Sequence, residues 1–157
     1  MSVHSAGILC YRYRAQLLEV FLVHPGGPFW ARRDDGAWSI PKGIINADES
    51  ALAAAMREFH EETGFEVNDG FIALGQLQQA SKKIVHVWAV QTDFDAAQLR
   101  SNTFELEGPR GSGQLREYPE VDRGDWFSLA RARQKIYKGQ QAFLDRLLGV
   151  LANQSRH

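Results

Sequence analysis

Three glutamates in one short stretch, Glu58, Glu61 and Glu62, are the residues of this chain whose types and spacing could do chemistry. They stand at i, i+3 and i+4, so a helix brings their carboxylates to one side. Like charges at these spacings destabilise a helix by roughly 0.2–0.5 kcal/mol per pair, which makes the cluster a poor structural device. The cluster makes sense around a hard divalent cation, which takes oxygen ligands and also binds substrate phosphates. Such an ion neutralises phosphate charge and lowers the pKa of a bound water. Arg57 is adjacent and can pair with one glutamate, holding its orientation while others face the ion. The three acids alone read equally well as a solvated helix face. A wider set of fixed positions, Gly43, Glu49, Arg57 and Gly64 together with the three acids, separates the two readings.

A helix over Glu49 to Thr63 has to position the acids, with Asp48 as its expected N-cap and Gly64 at the left-handed C-terminal position. Wound at about 100° per residue, Leu52, Met56, Phe59 and Thr63 form an apolar stripe, with Glu58, Glu61 and Glu62 roughly opposite. Ahead of it, Ala6 to Tyr13 and Leu17 to Val23 read as an antiparallel pair of strands. His24 to Gly36 is loop chemistry, and Trp38 to Gly43 is a short extended piece with Pro41 biasing Ile40 away from helix. Phe71 to Gln79 and Lys83 to Thr92 are two further strands, and Ile84, His86, Trp88 and Val90 share one face of the second. Asp93 to Gly124 is polar and turn-rich, a long excursion of the kind that is often functional. Trp126 to Ile136 begins a helical region, and Gln140 to Leu151 is a clearer helix with Phe143, Leu144, Leu147, Leu148 and Leu151 as its stripe.

At 157 residues the chain fits one domain, taken as 1–157, with no repeat or linker to divide it. A net charge of −1 provides no basic footprint for non-specific nucleic-acid binding. A small anionic substrate remains compatible when a bound cation neutralises it. Cys10 is the only cysteine, which excludes an intramolecular disulfide, and it reads as a small buried strand residue. No stretch approaches the ~20 apolar residues of a membrane span. The opening residues lack the pattern of a secretory leader, so a cytoplasmic protein is expected.

The stretch 43–65 resembles the Nudix box, G-x5-E-x7-R-E-U-x-E-E-x-G-U with U a bulky apolar residue. Every fixed position matches, with Phe59 and Phe65 at the U sites. By composition, a chance match of seven such identities has odds on the order of one in a million. The resemblance implies an α/β fold, a Nudix-type α/β/α sandwich with a mixed β-sheet. It also implies hydrolysis of a nucleoside diphosphate linked to another moiety X, by water attack on phosphorus with magnesium or manganese. Carried over residue by residue, Glu58, Glu61 and Glu62 are the implied metal ligands, joined by the carbonyl of Lys42. Glu58 is the general base in some relatives, and a later loop supplies the base in others. Arg57 and Glu49 are orienting residues; Gly43 and Gly64 serve backbone geometry. The later-loop glutamate, also an implied further metal ligand, falls on Glu120 as first choice and Glu117 as second, so the implied catalytic set is Glu58, Arg57, Glu61 and Glu120.

Trp38 to Gly43 resembles the W-x-x-P-K-G entrance of diadenosine tetraphosphate and diphosphoinositol polyphosphate hydrolases of the superfamily. Lys42 there can meet a phosphate as a point charge, while Trp38 reads as a packing residue. Trp30 and Arg32 lie in a loop mixing aromatic and basic residues, a composition that suits a base and a phosphate. Lys83 and Tyr118 complete the substrate candidates, with Lys82 and His86 behind them. The proline of the ADP-ribose subgroup, the tyrosine of some dinucleoside polyphosphate hydrolases, the NADH-hydrolase array and a coenzyme A signature are all missing. The expected partner is therefore a small phosphorylated compound, a nucleoside or dinucleoside polyphosphate, with a homodimer compatible because relatives often form one. A silent nucleotide-sensing module and an RNA-end hydrolase are the alternatives; an intact box and near-neutral charge weigh against them.

Overall fold

The computed structural model describes residues 3–154, so the first two and last three residues of the expected domain lie outside it. Strands β1 (His4–Arg14) and β2 (Leu17–Pro25) are antiparallel. They join through Ala15 and Gln16, both at positive φ, the two-residue turn that matches strand twist. A short strand β3 (Lys42–Ile44) pairs with the start of β1, with Ala6 opposite Gly43 and Gly7 opposite Lys42. Helix α1 (Ala51–Thr63) follows, then β4 (Ile72–Gln78) and β5 (Ile84–Gln91). Strand β5 runs parallel to β1, and all other pairs in the sheet are antiparallel, so the sheet is mixed as expected.

After β5 the chain makes a two-stranded hairpin, β6 (Thr103–Glu107) with β7 (Leu115–Pro119), and then strand β8 (Val121–Ser128). Strand β8 closes the other edge of β2, giving the order β4-β5-β1-β2-β8 with β3 beside β1. Helices α2 (Leu129–Lys135) and α3 (Gln141–Gln154) end the described chain. Ala6, Ile8 and Cys10 of β1 pack with Ala54, Ala55 and Phe59 of α1 on one side of the sheet. Leu9 and Tyr11 pack on the other side with Ala132 of α2 and Phe143, Leu144 and Leu147 of α3. This is the α/β/α sandwich. Phe59 is fully buried, and burying a side chain of that size contributes about 1.5–3 kcal/mol.

Three expectations are corrected. The N-cap of α1 is Ser50, whose Oγ accepts from Ala53 N at 3.1 Å, and not Asp48. Glu49 stays outside the helix because its carboxylate is engaged by Asn46 N and Arg57. The buried face of α1 is made of Ala54, Ala55, Phe59, Glu62 and Thr63, while Leu52 and Met56 are only half-buried. Alanines let the helix lie close on β1, and that rotation turns Glu62 inward. Residues 121–128 are a strand, so Trp126 and Phe127 belong to β8 and the next helix starts after Ser128, its N-cap. The Asp122-Arg123-Gly124-Asp125 run hides that strand in the sequence. Gly124 is needed there because a Cβ would strike the Phe21 ring and come within 2.8 Å of Leu99.

The expected strands near 71–79 and 83–92 are present, and Trp88 and Val90 share the α1 side of the sheet. Cys10 is buried, and burial pushes its thiol pKa well up, so it is inert. Among the described residues no helix is long and apolar enough to cross a membrane.

Candidate active site

The acids are held by strand β3 and the C-terminal half of α1. Lys42 N donates to Glu62 Oε2 at 3.0 Å, which ties the last turn of α1 to β3. The next residue, Gly43, faces Glu58: a Cβ there would fall on the Glu58 carboxylate, so the glycine makes room for it. Gly64 closes the helix in the left-handed conformation, φ 78°, its N–H donating to His60 O at 2.8 Å.

Arg57 holds most of the cluster. Its Nε and Nη2 donate to the two Glu49 oxygens at 2.7 and 2.9 Å, and Nη2 also reaches the Ile44 carbonyl at 3.0 Å. Nη1 donates to Glu58 Oε1 at 2.8 Å and Glu61 Oε2 at 3.2 Å. The guanidinium fork therefore fixes the loop before α1 and two box glutamates at once, which an ammonium could not do. Its hydrogen bonds to Glu49, with one from Asn46 N, hold the Glu49 carboxyl down at about 2.

Glu120 is fixed through its backbone. Asn102 N donates to the Glu61 carbonyl at 2.8 Å, Glu120 N donates to the Asn102 carbonyl at 2.9 Å, and Gly26 N donates to the Glu120 carbonyl at 2.8 Å. Burial pushes the Glu62 carboxyl up to about 8, with further repulsion from Glu58 and Glu120 partly offset by Lys42. Glu120 is also raised, first by loss of solvent around it and then by Glu58 and Glu61. Four carboxylates thus repel one another in one neighbourhood, and a divalent cation would relieve that repulsion.

An all-oxygen donor set suits magnesium or manganese better than zinc or copper, so the residues fit the expected ion. Among the described residues no three acids or histidines already surround one point. Glu58 and Glu61 turn to Arg57, and Glu62 turns to Lys42 N–H. These are rotatable side chains, and a cation can recruit them by exchanging those contacts.

Beside the acids opens a cleft of about 500 Å³, lined among others by Trp30, Lys42, Glu62, Lys83 and Glu120. Burial lowers the Lys42 pKa; Glu62 opposes that shift, and the nearby charge of Lys83 adds to it. Two cations and an aromatic ring therefore stand next to the glutamates. A second groove of about 590 Å³, between Arg12 and Trp126, contains none of these residues, and its Arg12 is bound to Glu19 and Asp93.

The structure brings Lys42, Glu58, Glu61, Glu62, Glu120, Trp30 and Lys83 together and leaves other candidates out. Arg32 is exposed in the loop and does not line the cleft. Tyr118 turns away to pack on Phe104 of the hairpin, ring centroids 6.0 Å apart. Glu117 is exposed opposite Glu105, so Glu120 is the loop acid beside the cluster. Trp38 is buried, stacked edge-on against Phe127, with Nε1 donating to Asp34 at 2.8 Å. His86 is hydrogen-bonded to His4 at 3.0 Å, and Lys82 sits at positive φ in the β4–β5 turn.

Sequence reasoning missed Gln79, Tyr137 and Gln140, which also line the cleft. It also missed fully buried His24, whose ring nitrogens meet Asp122 Oδ1 at 2.9 Å and the Arg33 carbonyl at 2.6 Å. That histidine joins the loop carrying Trp30 to the strand that follows Glu120. No local pattern marks these residues; only the fold assembles them.

The fold and the acid cluster agree with what comparison finds. The sequence profile of the NUDIX domain matches residues 2–147. The chain therefore belongs to the Nudix hydrolase superfamily. It is 50% identical over 48 residues to an RNA pyrophosphohydrolase of Cellvibrio japonicus, a stretch covering 29% of this chain and 28% of that protein. Among solved structures, an Ap4A hydrolase of C. elegans in a binary complex superposes with a TM-score of 0.64 at 22% identity, over 96% of this chain and 98% of that one. The NUDIX domain of Shewanella oneidensis NrtR, solved with ADP ribose, gives a TM-score of 0.68 at 18% identity, over 96% and 89%. At these identities the two structures speak for the fold.

Proposed function

We propose that the chain, working as one domain, is a metal-dependent pyrophosphohydrolase that cleaves a phosphoanhydride bond in a nucleoside or dinucleoside polyphosphate. One observation carries the reading: Glu58, Glu61, Glu62 and Glu120 converge beside a cleft lined by Lys42 and Lys83. Acids without a cation would repel a phosphate chain, and lysines alone would bind one without activating water. Glu58, Glu61 and Glu62, with Glu120 and the Lys42 carbonyl as further ligands, would hold magnesium or manganese, which when bound would supply charge neutralisation and a more acidic water. Arg57 orients Glu58 and Glu61, and Glu58 or Glu120 takes the proton from the attacking water. Lys42 and Lys83 meet the phosphates, and Trp30 offers a face to X.

Hydrolysis of a panel of nucleoside triphosphates, dinucleoside polyphosphates, sugar nucleotides and diphosphoinositols, with magnesium or manganese, tests this. Glu58→Gln and Glu62→Gln should each lower the rate about 100-fold or more. Full activity in both variants, or no metal-stimulated turnover on any compound, contradicts the proposal. A second reading, removal of pyrophosphate from RNA ends, draws on the 50% identity to a protein named for that activity. It calls for affinity that falls steeply with salt, and salt-independent RNA binding would count against it.

A further inference from the structure

One fully buried polar ring has no part in the chemistry proposed above. His24 lies near the end of β2, edge-on to the Trp38 ring with centroids 5.2 Å apart. Taking a polar ring out of water costs free energy unless its nitrogens find partners. Both do: Nε2 donates to the Arg33 carbonyl at 2.6 Å, and Nδ1 meets Asp122 Oδ1 at 2.9 Å. Asp122 thereby fixes the direction in which the ring presents Nε2.

The loop that Nε2 reaches is anchored at its two ends. Gly26 N donates to the Glu120 carbonyl at 2.8 Å, and Asp34 accepts from Trp38 Nε1 at 2.8 Å and from Lys135 Nζ at 2.7 Å. Between these anchors, residues 27–33 hold Phe29 out in solvent and put Trp30 on the cleft wall. Among the described residues, the bond from His24 to the Arg33 carbonyl is the one hydrogen bond tying that stretch to the rest of the chain. Arg33 passes the restraint back to the rings. Its N donates to the Trp30 carbonyl at 3.0 Å, closing a turn. Its guanidinium carbon lies 4.7 Å from the Phe29 ring centroid and 5.6 Å from that of Trp30.

We propose that His24 is a positioning residue for substrate: it pins the turn 30–33 so that the Trp30 ring stays set on the cleft wall to stack on the nucleoside part of a phosphorylated ligand. Stacking of this kind accepts any base, because every base has a π-face. A ring already held gives up less freedom when the ligand arrives, so the restraint is read as affinity. The phosphates meet Lys42 and Lys83 and owe nothing to His24. The role therefore falls on one half of the ligand. The inference rests on the nucleotide-hydrolase reading of the site and adds to it the residue that holds Trp30 in place.

The test is calorimetry on the full chain with magnesium, using α,β-methylene adenosine diphosphate and methylene diphosphate, the same phosphonate pair without the nucleoside. The parent protein should bind the nucleotide analogue about tenfold tighter or more. Glutamine carries its amide nitrogen at the same place along the side chain as Nε2, and asparagine at that of Nδ1. His24→Asn should therefore lose the nucleotide's advantage and His24→Gln should keep it, with methylene diphosphate bound equally in both. Trp30→Ala should lose the same advantage, and joining it to His24→Asn should add nothing further. In triphosphate hydrolysis His24→Asn should raise KM about tenfold and leave kcat within about threefold, the mark of lost binding. Equal losses in the Asn and Gln variants, weakened methylene diphosphate, or losses that add to those of Trp30→Ala overturn the inference. A measurement on the parent protein needs no variant to fold: the His24 Nε2–H nuclear resonance should shift with the nucleotide analogue and not with methylene diphosphate. A resonance unmoved by either, or moved alike by both, also overturns it. If methylene diphosphate binds with magnesium and the nucleoside adds nothing, the inference fails and the hydrolase reading stands. If neither compound binds and no nucleotide is cleaved under any metal, the hydrolase reading fails and takes the inference with it.

Discussion

Replacing Gly43 by alanine separates a structural account of the box from a chemical one. Gly43 lies in β3 opposite Ala6, and its φ is not positive, so alanine can adopt the backbone without strain. The added Cβ would fall on the Glu58 carboxylate, the far end of a flexible side chain. To reach ordinary van der Waals distance that carboxylate has to retreat by about 1 Å or more, and a misplacement of this size at a reacting group costs about 100-fold in rate. Moving a side-chain end is cheap, so stability should change by less than about 1 kcal/mol. Steady-state hydrolysis with magnesium, run beside a thermal melt, measures both. An unchanged melt with activity within about threefold of the parent protein would refute the reasoning, since Glu58 would then be free to move without consequence. A melt lowered by many degrees would refute it differently, showing that β3 yields and not the carboxylate.

Arg57→Lys should lower kcat by about tenfold or more, because an ammonium cannot hold Glu49 bidentately and still reach Glu58 and Glu61; steady-state kinetics reads it. The same variant should unfold at a higher pH on acidification. Glu49 is depressed to about 2 in the fold, so its contribution is present above the ordinary carboxylate range and is lost as pH falls towards 2. An acid-unfolding midpoint identical to that of the parent protein contradicts this. Glu62 behaves in the opposite sense, its carboxyl being raised to about 8 in the absence of metal. Its stabilising contribution is complete below the unfolded carboxylate pKa and is lost as pH rises through 8, so metal-free protein should melt lower at pH 9 than at pH 6. Glu62→Gln should flatten that slope, and a slope unchanged by the substitution would show that another group causes it.

The box helix was legible because its parts are local. Gly43, Glu49, Arg57 and the glutamates are linked through spacing within one helix and the turn before it, and Arg57 does reach Glu49 and two of the acids. The inward turn of Glu62 was not legible, since it depends on Ala54 and Ala55 letting α1 settle on β1. Strand β8 was hidden by the charged run 122–125, and it forms because the edge of β2 needs a partner. Glu120 could not be told from Glu117 by sequence; the ladder with β6 points Glu117 to solvent, while Asn102 and Gly26 hold Glu120 beside the acids. Tyr137 and Gln140 reach the cleft across about a hundred residues of chain, as the Gln140 contact with Ile40 shows, and no local pattern announces such a contact.

The central claim, water attack on a phosphoanhydride at a cation held by Glu58, Glu61 and Glu62, is tested most directly in water enriched in heavy oxygen. A cleavable nucleoside triphosphate is incubated with the protein and magnesium, and its products are weighed by mass spectrometry. The account predicts one heavy oxygen in a single phosphorus-containing product, incorporated only with the divalent cation present and lost in Glu58→Gln. Label incorporated at the same rate under a chelator, or undiminished in Glu58→Gln, would contradict it.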